Sequence, residues 1–269
     1  MKKYAIALGM AIIAVCILLL VHVALANAAD QENSRNSGEL HVLMSDGLKA
    51  PMEAARAQAE QAIGRRLRIE YGPSLELKPM IEAGAPCDVV LLTPVALDDL
   101  IKEGKIAQGS RADIARVPVG VGQRGGASKG DVSTLDALKH TLLQAKSIRY
   151  VANGASATAV HKAFVRLGIV EEMKAKTATG AALTPLGPGE TELTITLASE
   201  ILPVKEQTYL GPLPAEVQIP AILSVGVGAH TRDVPGAKAL IQFLQGPALD
   251  PAMKANGMQR LPVSGAAVR

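Results

Sequence analysis

Two short polar turns carry residue types that can hold an anion. The first, Ser45-Asp46-Gly47, follows the apolar residues 40–44, and the second, Asn153-Gly-Ala-Ser156, precedes a helical pattern at residues 157–167. A turn that joins a strand to a helix points backbone N–H groups outward, and the helix N-terminus adds about half a positive charge. The pattern therefore predicts two anion-binding turns, although Ser45 or Asp46 is also typical of an ordinary helix cap.

The sequence gives no sign of a metal centre or a phosphate loop. His41, His140, His161 and His230 are scattered along the chain, without the close spacing that marks zinc ligands. The glycines of residues 120–130 do not end in the Gly-Lys-Ser/Thr of a phosphate loop. We therefore expect no metal and no cofactor.

The elements that must position these turns alternate between strands and helices. Apolar runs predict strands, and 3.6-residue periodicity with glycine stops predicts helices. The strands used below are predicted at residues 40–44, 87–92 and 193–197, and the helices at residues 74–83 and 157–167. Such alternation is typical of an α/β layered fold with mostly parallel sheets.

Two lobes are predicted from the position of the glycine-rich stretch. The β-rich residues 114–122 run into Gln123-Arg-Gly-Gly-Ala-Ser-Lys-Gly130, which reads as a crossing between domains. One lobe would then contain residues 39–122 together with about 219–269, and the other residues 123–218. Each lobe carries one of the polar turns, so an anion could be trapped between opposed helix N-termini.

The N-terminus predicts export. Lys2 and Lys3 precede a long apolar run and small-x-small sites near Ala28, which is the pattern of a signal peptide over residues 1–28. An uncleaved membrane anchor is the alternative, because the apolar run is long. Residues 29–38 are polar and read as a flexible lead-in. We expect the mature protein to lie in the periplasm.

Composition limits the classes of partner. Without Lys2 and Lys3 the chain keeps 26 basic residues against 25 acidic ones, and basic-aromatic clusters are absent, which argues against nucleic acid. Tryptophan is missing, which argues against a sugar site built on stacked rings. Cys87 is the single cysteine after the signal segment, and its apolar neighbours predict a small core residue. Because one cysteine cannot form a disulfide within the chain, packing must stabilise the fold. We also expect the protein to be a monomer.

Part of the sequence resembles a known family. The run Ile81-Glu-Ala-Gly-Ala-Pro-Cys-Asp-Val-Val90 resembles the "IEAGAPADLF" segment of periplasmic molybdate-binding proteins of ABC importers. Tyr71-Gly-Pro-Ser74 stands where that family has its serine-rich turn, and residues 42–52 and Phe243-Leu-Gln-Gly-Pro247 are similar too. The resemblance implies an α/β, two-lobed type II periplasmic-binding-protein fold that closes on a small anion. It also implies a possible ABC permease as partner.

The resemblance assigns three retained ligand contacts. Ser74 aligns with a ligand-binding serine, and Ser156 aligns with a residue that gives its backbone N–H. Thr179 falls near another N–H donor. In the family the anion is held by hydroxyl and N–H groups without countercharges.

Two family hydroxyls are missing at the aligned positions. Gly47 stands where a second binding serine is expected, with Ser45 close by, and Leu197 stands where the family has a tyrosine hydroxyl. Molybdate as the ligand is therefore in doubt, and the sequence favours a different oxyanion or an organic carboxylate.

Ionisable groups stand near the same expected cleft. Asp46, His161 and Glu200 could act as a base, and Arg124 could pair a carboxylate through its planar fork. Each also has a simpler interpretation: Asp46 as a helix cap, His161 as an exposed helix residue, Glu200 as a loop hydrogen-bond acceptor and Arg124 as a solvated loop residue.

These groups support a second hypothesis. Periplasmic aconitate isomerases are similar in sequence to molybdate-binding proteins and are cofactor-free. Their reaction shifts a proton along an allylic tricarboxylate, which requires a base and cations. Asp46, His161 or Glu200 could be the base, and Arg124 or Lys49 the cation. The leading hypothesis is a solute-binding protein for a small anion, and the alternative is this isomerase.

Overall fold

The structure, a computed structural model, describes residues 38–125, 129–179 and 192–262. Leu40–Arg269 forms one compact unit. The predicted signal peptide at residues 1–28, and the lead-in except for residue 38, lie outside the described residues. Among the helices of the described residues, none has the length and apolar character needed to span a membrane.

The first sheet has six strands in the order β11-β4-β10-β3-β1-β2. Strand β3 is apolar and wholly buried, as a central strand covered on both faces must be. The strands are β1 Glu39–Ser45, β2 Arg66–Gly72, β3 Val89–Leu92, β4 Ala112–Val117, β10 Ala221–Val227 and β11 Gln259–Arg260.

Five helices of the described residues belong to the part of the chain that forms the first sheet. Helix α1 buries Met52, Ala55 and Ala59 on one face and ends at Gly64, whose φ of 65° is the left-handed conformation that favours glycine. A short 3-10 helix, Asp46–Leu48, joins β1 to α1. The helices are α1 Lys49–Ile63, α2 Ser74–Glu82, α3 Pro94–Lys102, α8 Val234–Gln245 and α9 Asp250–Ala255.

The second sheet has five strands in the order β7-β6-β8-β5-β9. Its strands are β5 Val119–Arg124, β6 Ile148–Tyr150, β7 Thr177–Thr179, β8 Leu193–Leu197 and β9 Gln207–Pro212. Its helices are α4 Leu135–Gln144, α5 Ala157–Leu167, α6 Val170–Lys176 and α7 Ala198–Ile201. We call the part of the chain built on the first sheet lobe 1 and the part built on the second sheet lobe 2.

The chain passes between the lobes twice. Pro118 alone separates β4 from β5, and residues 213–220 return the chain from β9 to β10. The sequence predicted that the chain first crosses to lobe 2 after residue 122. In the structure the crossing is earlier, because β5, which begins at Val119, already pairs with β8 and β9 of lobe 2. Proline lacks the N–H that a continuing ladder needs, so the sheet changes at Pro118.

Strand pairing is mixed, which differs from the predicted mostly parallel sheets. β1 is parallel to β3, and β6 is parallel to both β7 and β8. β10 is antiparallel to β3 and β4, and β5 is antiparallel to β8 and β9. The reason is that β5 and β10 enter their sheets directly from the other lobe, without the helical crossover that returns a chain to a parallel direction.

Candidate ligand-binding site

A cavity of about 370 Å³ lies between the two lobes. Its wall is formed by the two polar turns, the end of β8 and helix α7, which follows β8. Its lining residues from lobe 1 are Ser45, Asp46, Lys49, Ala50, Glu53 and Pro73. Those from lobe 2 are Val151, Gly154, Ala155, Ser156, Thr196, Ser199, Glu200, Pro203 and Val204.

The turn of lobe 1 brings a hydroxyl and a carboxyl to the cavity. Ser45 is buried and caps the 3-10 helix, with its Oγ accepting a long 3.4 Å hydrogen bond from the Gly47 N–H. Its hydroxyl proton remains available to a ligand. Burial raises the pKa of the Asp46 carboxyl, Lys49 opposes this increase, and Glu76 adds to it. Asp46 therefore holds a proton more readily than an exposed aspartate does.

The turn of lobe 2 offers backbone donors at the N-terminus of α5. Ser156 is the N-cap residue, yet its side chain caps no helical N–H. The backbone N–H groups of Ala155 and Ser156 donate no hydrogen bond to any described residue. Both residues line the cavity. Since the helix N-terminus is also partly positive, this turn is suited to a carboxylate or another anionic group.

Glu200 lies at the centre of a small hydroxyl network. The Thr196 hydroxyl donates to Glu200 Oε2, and Ser156 Oγ lies 3.5 Å from Thr196 Oγ1. Burial raises the pKa of the Glu200 carboxyl to about 7, with a further contribution from nearby Asp46, while hydrogen bonds from Thr196 and the Leu197 backbone act in the opposite direction. Glu200 can therefore release or accept a proton near neutral pH.

Acidic groups outnumber basic ones along the cavity wall. Among the described residues, Asp46, Glu53 and Glu200 line it, and Lys49 supplies the single ammonium. Lys49 Nζ lies 5.5 Å from the ring centroid of Tyr71, and the Tyr71 hydroxyl donates to Glu53 Oε1 at 2.7 Å. The cavity therefore combines hydrogen-bond donors that suit an anion with carboxyl groups that can accept hydrogen bonds.

The two positions at which the sequence lacks the family's hydroxyls are in contact with each other. Gly47 and Leu197 are both buried, and a Cβ built on Gly47 would lie 2.8 Å from Leu197 Cδ1. Beside them the Ser199 hydroxyl donates to the Gly47 carbonyl at 2.7 Å. Neither Gly47 nor Leu197 lines the cavity. This part of the interface between the lobes is apolar and closed.

A polar contact also joins the lobes at the rim. The Asn153 side-chain amide, from the turn of lobe 2, donates to Glu76 Oε1 in the first turn of α2 at 3.0 Å. Glu76 is exposed and Asn153 is half-buried. Within the described part of the chain, one buried and one solvent-facing hydrogen bond thus join the lobes around the cavity.

Five residues to which the sequence assigned a role line the cavity: Ser45, Asp46, Lys49, Ser156 and Glu200. Ser74 lies beside it and is buried, with its Oγ accepting a hydrogen bond from the Thr93 N–H at 3.1 Å, while its neighbour Pro73 forms part of the wall.

Two predicted residues are placed away from the cavity, and a third lies beside its wall. Arg124 ends β5, whereas the cavity lies beyond Leu197, which pairs with Val119 at the other end of that strand. His161 is exposed, more than one turn into α5. Thr179 ends β7 beside Tyr150 of the parallel strand β6, one residue before Val151 in the cavity wall.

Sequence reasoning missed Glu53, Thr196 and Ser199. Glu53 follows Lys49 by four residues on α1, so the helical repeat places both on one face. Thr196 lies on β8 and Ser199 on α7, and their proximity to Glu200 depends on how the strand runs into that helix. Among the described residues, no group of three His, Cys, Asp or Glu side chains could hold a metal ion.

Two lobes joined by two crossings, with a polar cavity between them, define the periplasmic-binding-protein class. The chain belongs to the bacterial extracellular solute-binding protein family, whose model matches residues 40–259. The periplasmic molybdate-binding protein of Azotobacter vinelandii shares this fold. The TM-score is 0.72 at 19% sequence identity, over 83% of this chain and all of that one.

Two relatives are similar over most of their length. One is an aconitate isomerase from Pseudomonas sp., 28% identical over 83% of this chain and 88% of that protein. The other is the molybdate-binding protein ModA of Azotobacter vinelandii, 27% identical over 82% of this chain and 90% of that protein. The substrate-binding domain of a molybdenum ABC transporter from Clostridium difficile shares the fold, with a TM-score of 0.62 at 18% identity over 83% of this chain and 99% of that one.

Proposed function

We propose that this protein is a periplasmic binding protein that captures a small organic acid between its lobes and delivers it to a membrane importer. The observation that carries the proposal is the mixed character of the cavity wall. The N–H groups of Ala155 and Ser156 and the ammonium of Lys49 suit a ligand carboxylate. Asp46 and Glu200 suit a group on the same ligand that donates a hydrogen bond.

Charge argues against a fully ionised metal oxyanion as the ligand. Such an ion has no proton to donate, so Asp46, Glu53 and Glu200 would either repel it or bind protons to accommodate it. A hydroxy acid or a partly protonated carboxylic acid brings its own donors. The cavity volume of about 370 Å³ is within the range of sites for small organic molecules.

Ligand capture would follow from the contacts between the lobes. A ligand that bridges the α5 N-terminus of lobe 2 and Ser45 of lobe 1 adds interactions that exist only in the closed state. Binding therefore shifts the population towards closure.

A thermal-shift panel followed by calorimetry tests the ligand class. We expect stabilisation by hydroxy- or unsaturated di- and tricarboxylates, and none by molybdate, tungstate or sulfate. Ser156→Pro removes one backbone donor and should weaken the response, whereas Ser133→Pro, at an exposed residue away from the cavity, should not. Tight binding of molybdate would overturn the organic-acid assignment, and no response to any anion would overturn the anion site itself.

Glu200 favours a second candidate function, an isomerase of an unsaturated carboxylic acid. In this reaction the Glu200 carboxylate would take a proton from the substrate carbon next to the double bond and return it to the far carbon of the allyl system. Lys49 and the α5 N-terminus would stabilise the negative charge that develops on the conjugated carboxylate. A pKa of about 7 is suited to a group that both accepts and returns a proton.

Proton NMR of cis- and trans-aconitate with the purified protein distinguishes the two candidates. Interconversion, together with incorporation of solvent deuterium, would support the isomerase, and binding without turnover would support the transport protein. If turnover occurs, Glu200→Gln should lower the rate at least about a hundredfold. Glu172→Gln, at an exposed residue of α6, is the matched control. An unchanged rate in Glu200→Gln would rule out Glu200 as the base.

A further inference from the structure

A second cavity, of about 390 Å³, lies within lobe 1 and is separate from the cavity between the lobes. It opens where β1 begins, whereas the interlobe cavity lies where β1 ends. His41 in its wall is four residues from Ser45, which corresponds to about 13 Å along the strand. Its lining residues are His41, Ile81, Gly84, Ala85, Pro86, Cys87, Asp88, Lys105, Ala229, His230 and Arg232.

The charge of this second cavity is opposite to that of the interlobe cavity. Lys105 and Arg232 line it as permanent cations, and His41 and His230 add imidazole N–H donors. Asp88 is the single carboxylate among the described residues that line it, and both of its oxygens are occupied: Oδ2 accepts from the His41 backbone N–H at 2.8 Å, and Oδ1 accepts from the Thr231 hydroxyl at 2.5 Å.

Backbone contacts hold the wall in place. The Asp88 N–H donates to the His41 carbonyl at 2.8 Å, and the Gly228 N–H donates to the Asp88 carbonyl at 2.9 Å. A Cβ built on Gly228 would lie 2.0 Å from the Cys87 carbonyl oxygen, so the two segments meet as closely as a glycine allows. Lys105 Nζ donates to the Glu82 carbonyl at 2.9 Å, which leaves two of its protons for a ligand.

The most exposed hydrogen-bond donors in the wall of this second cavity are the side chains of His230 and Arg232. Within the described residues, the side chains of His230 and Arg232 have no hydrogen-bond or ion-pair partner. The Arg232 guanidinium presents a planar fork that can bind a carboxylate or phosphate through two hydrogen bonds. Burial raises the pKa of the Cys87 thiol to about 11, so the sulfur is a neutral part of the wall.

We propose that the cavity of lobe 1 lined by His41, Lys105, His230 and Arg232 binds a small polyvalent anion of the phosphate or carboxylate type. It is a concave site in which two cations and two imidazoles from three chain segments converge, while the one carboxylate among its described lining residues is already hydrogen-bonded. The proposal does not depend on the ligand of the interlobe cavity.

Two-dimensional amide NMR of the labelled protein, titrated with inorganic phosphate and separately with citrate, tests this site. We expect shifts at Ala85, Asp88, Lys105 and Ala229. Arg232→Gln and Lys105→Gln should each weaken this response about tenfold, as the loss of one charge-assisted contact implies. Arg68→Gln and Lys162→Gln, at exposed residues away from both cavities, are the matched controls.

The outcomes separate the two sites. Shifts confined to Ser45, Ser156 and their neighbours would mean that the probe binds between the lobes only, and would overturn the proposal. The absence of shifts at the lobe 1 cavity with both probes at millimolar concentration would overturn it as well. Glu200→Gln should leave the lobe 1 response unchanged, so this test succeeds or fails independently of the proposed function.

Discussion

At the scale of single residues, Glu200 governs how the cavity responds to pH. It is half-buried, its Oε2 accepts a hydrogen bond from Thr196, and Asp46 is close enough to affect its charge. Desolvation by burial is the largest cause of its raised pKa, so the protein environment favours the neutral acid.

Glu200 should make the protein less stable as pH rises. Its folded-state pKa of about 7 lies above the ordinary value of 4.5, so the folded chain binds the extra proton between these two values. This contribution is fully present below pH 4.5 and is lost as pH passes 7, and the shift corresponds to about 3 kcal/mol. Urea unfolding at pH about 5 and about 8 should show the decrease, and Glu200→Gln should reduce it. An equal decrease in the variant would contradict this.

Gly47 should control closure through its contact with Leu197. Gly47→Ala places a methyl group 2.8 Å from Leu197 Cδ1, and the overpacking costs about 1–2 kcal/mol in the closed state. Since the contact joins the lobes, we expect ligand affinity to fall about tenfold while the melting temperature of the free protein changes little.

The control for Gly47 is the double variant Gly47→Ala/Leu197→Ala. Leu197→Ala removes the atom that the new methyl group meets, so the two effects should be less than additive. Calorimetric titration of all four proteins measures the coupling. Strict additivity would show that the contact does not limit closure.

The sequence predicted those cavity-lining residues whose positions follow from local turn chemistry. Ser45, Asp46 and Ser156 line the cavity because strand-to-helix turns place them there, and Glu200 lines it from α7. Arg124 was expected near the cavity, but β5 runs away from it, because the chain changes sheet at Pro118 and not after Gly122. Strand direction after a crossing depends on tertiary packing, which a single sequence does not contain.

At the scale of elements, the two crossings are tied together by one side chain. The Gln218 amide accepts from the Val119 N–H at 3.0 Å and donates to the Val119 carbonyl at 2.8 Å. It also donates to the Leu213 carbonyl at 3.3 Å, and the Leu213 N–H donates to the Val119 carbonyl at 2.9 Å. Both connections between the lobes therefore share one hydrogen-bonded junction.

Gln218→Ala should weaken this junction. The buried Val119 N–H would lose its partner, at a cost of about 1–3 kcal/mol. We expect a lower melting temperature and faster amide hydrogen exchange at Val119 and Leu213. Gln242→Ala, at an exposed residue of α8, is the control and should behave like the parent protein. Unchanged exchange at Val119 would show that the amide does not hold the crossing.

Individual elements were well predicted where the local pattern is strong. β8 has the predicted bounds Leu193–Leu197, and α2 is one residue shorter than predicted. β3 begins at Val89, two residues later than predicted. The predicted mostly parallel pairing differs from the mixed pairing of the structure, because apolar runs such as residues 89–92 read the same in parallel and antiparallel surroundings.

At the scale of the whole molecule, the contacts between the lobes set the balance of open and closed states. The buried contact joins Ser199 to Gly47, and the rim contact joins Asn153 to Glu76. The rim pair is partly exposed, and water competes for its groups, so it stabilises closure by about 1 kcal/mol or less.

Asn153→Ala should therefore reduce ligand affinity by less than about fivefold, and Ser199→Ala should reduce it more, because the Gly47 carbonyl is buried. Calorimetry gives the affinities, and small-angle X-ray scattering reports whether the free variants are more extended. A larger effect of Asn153→Ala than of Ser199→Ala would show that the rim contact stabilises closure more than the buried contact does.

The shared junction at Gln218 also has a kinetic consequence. Because Val119 and Leu213 are hydrogen-bonded to each other and to one amide, we expect the two connecting segments to bend together when the lobes open and close. Concerted bending leaves no state in which one connecting segment has bent and the other has not. Stopped-flow measurements with a dye attached at the rim should accordingly record ligand capture as one exponential phase.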